Sequence, residues 1–134
     1  MVDDRPTPEE REAIFDQFKW SVQALSQPAE IQAALFPEFV CVADELAEDF
    51  AHWMRCALSY GRLEASERQR AAITALDRLL EYMTERSSEG HWSMDDLAND
   101  PLWKEVRHLA RNVLDAFRWP PDIPPQRRSV YVPG

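Results

Sequence analysis

Asp44, Glu45, Glu48 and Asp49 crowd a single turn and a half of chain, and His52 follows at helical spacing. Carboxylates and an imidazole in this arrangement suit three kinds of chemistry: metal ligation, proton transfer, or electrostatic capture of a cationic partner. A second acid-x-x-His pair, Glu105 and His108, lies towards the other end of the chain. Di-iron helical bundles combine two Glu-x-x-His pairs with a Glu from each of two further helices, all pointing inward. Asp49, His52, Glu105 and His108 therefore form the metal-ligating alternative.

A helical projection at about 100° per residue tests it. Phe39, Leu46, Phe50 and Trp53 claim the inward face of the segment that carries the first pair. Asp49 and His52 lie about a quarter-turn away. Glu105 and His108 lie about a third of a turn from the Val106/Val113 centre of their own helix. The other two long apolar stripes contain no acid, Asp16 and Asp77 falling at their edges. Neither pair points squarely at a core, so the metal reading is disfavoured and no cofactor is expected. Asp44 and Glu48 point away from the stripe, with Glu45 and Asp49 on its flank. Like charges at i,i+4 cost an isolated helix about 0.2–0.5 kcal/mol each, and only Arg55 lies further along this face to relieve them. The expected use of Asp44, Glu45, Glu48 and Asp49 is to steer and clamp a basic protein partner.

Other reactive side chains are less informative. His91 sits in a loop between Gly90 and Trp92, with no Ser or Cys nucleophile at a recognisable spacing. The expectation is a solvated imidazole beside a tryptophan that plugs the loop. Cys41 and Cys56 fall on one expected helix, roughly 20 Å apart at 1.5 Å per residue, and cannot pair. Free thiols suit a reducing compartment. With only Gly61, Gly90 and Gly134 the chain has no phosphate-binding loop, and it has neither G-x-S-x-G nor CxxC.

The elements that must position these residues read as helices. Thr7-Pro8-Glu9-Glu10 is a capping box opening a helix with Ile14, Phe15, Phe18, Val22 and Leu25 on one face. A short helix over Pro28 to about Leu35 follows. A long one then opens at Pro37, with Gly61 ending it in the left-handed conformation. Ser66-Glu67-Arg68-Gln69 caps a helix carrying Ile73, Leu76, Leu79, Leu80 and Met83, ending near Arg86. Ser93 starts one short turn, and Asp100-Pro101 starts a last helix with Leu102, Val106, Leu109, Ala110, Val113 and Phe117. The fold expected is all-α: an antiparallel bundle of four main amphipathic helices plus one or two short ones.

From Trp119 onward, four prolines in seven residues predict an extended tail. The domain expected is thus residues 1–118, with 119–134 as a Pro-rich tail. Pro121-Asp122-Ile123-Pro124 has PxxP spacing, but Arg127 and Arg128 miss the register of a P-x-x-P-x-R ligand by one. Trp119, Ile123 and Tyr131 are expected to pack back along the bundle. The positive tail would then lie on the acidic face of its own chain or of a second copy, making a homodimer.

Charge narrows the function. The 134 residues carry a net charge of −9, and residues 1–50 hold 12 acids against 3 bases. Such a half repels nucleic acid and anionic membrane and attracts basic proteins. The composition, 45% hydrophobic and 29% charged, is that of an ordinary globular protein. The longest apolar run, Phe39 to Ala43, is far too short to span a bilayer. The N-terminus lacks the basic-then-apolar order of a secretion signal, which makes the cytoplasm the default location. The expectation is a small acidic helical binding protein without catalytic activity, one version being an immunity-type inhibitor of a basic toxin or enzyme. The alternatives are the metal-binding bundle and a dimeric scaffold or regulatory subunit.

Overall fold

Helix starts are set by the capping residues that the sequence places there. In the computed structural model, which describes residues 5–127, the Thr7 hydroxyl accepts from Glu10 N–H and opens α1 (Pro8–Leu25). The Glu10 carboxylate turns to the Tyr60 hydroxyl at 3.2 Å. A short α2 (Ala29–Ala34) leads to α3 (Val42–Arg55), which ends in a π-helical turn over Cys56–Tyr60. A complete reciprocal capping box between Ser66 and Gln69 starts α4 (Glu67–Glu85). Ser93 and Asp96 form a second box at the head of α5 (Met94–Asn99), and Asp100 caps α6 (Pro101–Phe117) through Leu102 N–H. Over the described residues the protein is all-α, an antiparallel bundle of four main α-helices with two short ones.

The bundle is not evenly closed. α1 packs on α3 and on α6, and α6 packs on α4, whereas α3 and α4 are not among the closely packed pairs. Phe18 stands at the junction, 6.1 Å from the Phe50 ring of α3 and edge-on to Phe117 of α6 at 6.2 Å and to Trp119 at 5.8 Å. Phe50, Leu46, Leu76, Met83, Trp103, Val106 and Leu114 complete a dry core.

α1 departs from a one-sided helix. Every residue from Trp20 to Gln27 is buried, because the chain after α6 returns as a strap across its outer face. Proline has no N–H, so a Pro-rich strap presents mainly carbonyls and needs donors opposite it. α1 and the turn after it supply them: Trp20 Nε1 donates to Pro125 O at 2.7 Å, Gln23 Nε2 to Pro120 O at 2.9 Å, and Gln27 Nε2 to Asp122 O at 3.1 Å. Gln126 Nε2 and Arg127 N–H donate to the carbonyls of Ala34 and Leu35.

Three expectations change at this level. α3 begins at Val42, so Phe39 precedes the helix and is 75% exposed rather than part of its inward face. Gly61 has a right-handed φ of −72°, and the left-handed residue is Arg62 at 51°. Space is tight at 61: a Cβ there would lie 3.0 Å from both Ala57 O and Phe15 Cε1. Ile123 is 61% exposed, whereas Trp119 packs against the core as expected and Pro124 is buried. Tyr131 and Arg128 lie outside the described residues.

Candidate functional site

The wheel of α3 sorts its side chains by polarity. Val42, Ala43, Leu46 and Phe50 are buried, Asp44 and Glu48 are exposed, and Glu45 and Asp49 lie between. Glu48 holds its proton above the usual carboxylate range, first because of partial burial and then because Glu45, Asp44 and Asp49 are all negative neighbours. Neither Asp44 nor Glu48 forms an ion pair with a basic side chain among the described residues.

Asp49 differs. Its Oδ2 lies 3.3 Å from Nε of Arg127 in the strap, with both side chains largely buried. The contact is ionic rather than a hydrogen bond, since neither of these two atoms has a hydrogen-bond partner. Burial pushes the Asp49 carboxyl up and outweighs the lowering influence of Arg127. The guanidinium also stacks 3.8 Å above the Trp20 ring centroid and donates to Gln17 Oε1. The strap therefore does lie against the acidic helix of its own chain, through one clamp residue.

Where α3 and α4 part, the surface forms a groove of about 460 Å³. Its floor is apolar: Ala47, Phe50, Ala51 and Met54 from α3, and Leu80 from α4. Its rims carry Glu48 and Arg55 on one side, Asp77 and Glu81 on the other. A smaller hollow of about 100 Å³ shares Ala47, Glu48 and Thr84 with it and extends it to Asp44 and Trp92. Two of the four acids chosen from the sequence thus belong to this side of α3: Glu48 lines the groove directly, and Asp44 lines its extension.

The metal set does not assemble. Asp49 is engaged by Arg127, while His52 is exposed with Nε2 3.7 Å from Cys56 Sγ. Glu105 and His108 are exposed on α6, which is separated from α3 by α1. No group of three or more His, Cys, Asp or Glu side chains suited to a metal occurs among the described residues.

No protein-family model, curated protein or solved structure matches the chain. The chemistry must be read from its own geometry. No helix among the described residues is long and apolar enough to cross a membrane.

His91 is the residue that sequence reasoning misplaced. Its backbone is left-handed at φ 86°, and its side chain is only 14% exposed, with Nδ1 2.6 Å from Asp100 Oδ2. Its N–H donates to Asp96 Oδ2 and its carbonyl accepts from Trp103 Nε1 at 2.5 Å. Asp100 uses its other oxygen to cap α6. The imidazole Nε2 is buried without a hydrogen-bond partner among the described residues, and the His–Asp pair pins the loop between two helix caps. The signal available in the sequence was the Asp at a helix N-cap nine positions on. Trp92 does plug the loop, its ring edge-on to Trp103 at 5.9 Å. Cys41 is exposed at the head of α3 with Sγ 3.5 Å from Trp92 O, and partial burial raises its thiol pKa above the ordinary value.

Proposed function

We propose that this chain is a small acidic cytoplasmic binding protein without catalytic activity, which docks a basic protein through the acidic side of α3. The observation that carries this reading is the pair Asp44 and Glu48. Both are exposed and unpaired by any basic side chain among the described residues, and Glu48 resists ionisation through partial burial and then its negative neighbours. A cationic partner that desolvates these groups relieves a repulsion that the isolated protein sustains. Glu45 flanks them, and Asp49 is already held by Arg127. A concrete form is an immunity-type inhibitor that neutralises a basic toxin or enzyme.

The test is a pull-down at low and high salt, with wild type compared against Asp44→Lys/Glu48→Lys. Basic proteins retained by wild type at low salt and lost by the variant support the reading. An identical set of retained proteins overturns it.

A further inference from the structure

We propose that the groove between α3 and α4 seats an amphipathic helix of the basic partner, flanked by arginine or lysine. This rests on the reading of α3's acidic side as a docking face and specifies what that face accepts.

Three features of the groove define the occupant. First, its walls are two antiparallel helices, which present side chains and no free backbone edge. Recognition by strand addition is therefore closed to it, and a helix laid in the groove is the mode that fits. From Asp44 to Arg55 the α3 wall runs roughly 17 Å at 1.5 Å per residue, the length of about three helical turns. Second, the floor of Ala47, Phe50, Ala51, Met54 and Leu80 is apolar. The small alanines let a third helix approach closely, and Met54 adapts to the side chains that enter. An incoming helix would place apolar anchors at i, i+4 and i+7 on this floor.

Third, the rims are acidic on both sides. Asp44 and Glu48 stand on the α3 wall and Asp77 and Glu81 on the α4 wall, against one Arg55. Lysine and arginine flanking an apolar stripe lay their aliphatic stems on the groove edge and carry their charge to such rims. The same charges select against other occupants. A second copy of this chain would bring acidic rims together on a molecule of net charge −9. The described part of the strap lies outside the groove, bonded to α1 and α2 and meeting α3 only at Asp49.

The experiment uses the full chain and two fluorescein-labelled synthetic peptides of identical composition. One orders leucines at i, i+4 and i+7 between arginines; the other scrambles that order. Fluorescence anisotropy should show the ordered peptide binding about tenfold or more tighter than the scrambled one. Ala51→Trp, which fills the floor, should remove that preference while leaving the circular dichroism spectrum unchanged. If Ala51→Trp disturbs the fold, Ala51→Met serves, and amide shift mapping with the ordered peptide should place the perturbed residues on α3 and α4. Glu48→Lys/Glu81→Lys should weaken both peptides.

Equal binding of the two peptides, lost only in the charge variant, overturns the groove proposal and leaves the acidic docking face standing. Failure of both peptides to bind, or binding indifferent to all variants, overturns both. Concentration-dependent dimerisation abolished by Ala51→Trp would make the groove an interface between copies and overturn the helix occupant.

Discussion

Arg127 Nε lies 3.3 Å from Asp49 Oδ2, joining the end of the described strap to the acidic helix α3. The pair is asymmetric. Arg127 has other attachments, to the Trp20 ring and Gln17, whereas Asp49 has burial and the Glu45 charge working against its own. Arg127→Ala strands a buried carboxylate and should cost about 1–3 kcal/mol in urea denaturation. Asp49→Asn should cost less, because it removes the charge that burial penalises. Equal losses from the two substitutions would show that the ion pair itself dominates.

The strap as a whole should matter more than its clamp. A chain ending at Arg118 loses Trp119 from beside Phe18 and the acceptors for Trp20, Gln23 and Gln27. Its unfolding free energy should fall by about 2–4 kcal/mol, with Trp20 fluorescence shifted to the red as water reaches the ring. Unchanged stability would mean that the strap is only laid on the surface.

Acid titration has a definite sign here. Glu48 and Asp49 hold protons more tightly in the folded chain than in the unfolded one. The stability this represents is fully present below the unfolded pKa values and is lost as pH rises through the raised folded values. Glu48→Gln should therefore melt higher than wild type at neutral pH, and the two should converge as pH falls through the carboxylate range. Asp96 shifts the other way, held down by its bonds within the Ser93 cap, and the substitution leaves it untouched. A melting difference that is constant with pH would contradict the assignment.

Asp100 carries two roles that can be separated. Asp100→Ser keeps a helix cap and loses the His91 partner; Asp100→Ala loses both. Calorimetry should rank the alanine variant below the serine variant by about 1 kcal/mol. The serine variant should still fall below wild type, because the left-handed His91 backbone then loses a side-chain restraint. A serine variant as stable as wild type would make the His91 contact incidental.

Gly61 offers a test of packing. Gly61→Ala places a methyl 3.0 Å from a backbone oxygen and from the Phe15 ring edge. Either the π-helical turn or Phe15 must move, at about 1–3 kcal/mol. A neutral result would show that this junction is slack.

The helices were legible because capping chemistry and a 3.6-residue period are local. Thr7, Ser66, Ser93 and Asp100 mark helix starts without reference to the rest of the chain. What was not legible depended on distant partners. Gln23 and Gln27 look like surface residues until a strap with few N–H groups lies over them, and Arg107 looks solvent-facing until it reaches the carbonyls of Gln27 and Leu97. Phe39 was misplaced because its apolar spacing continues a pattern that the backbone does not follow until Val42. The acids of α3 were found from periodicity alone. The groove beside them was not, since it arises from how α3 and α4 sit on their neighbours, which no helical wheel contains.

The strap also orders events in time. Trp20 bonds to a carbonyl 105 positions downstream, and Gln23 to one 97 positions downstream. At a synthesis rate of about 5–20 residues per second, α1 leaves the ribosome roughly 5–20 s before the segment that covers it exists. Through that interval a face bearing Trp20 and Gln23 waits open to chaperones and to other nascent chains. Helix α1 is thus made well before the segment that completes its packing.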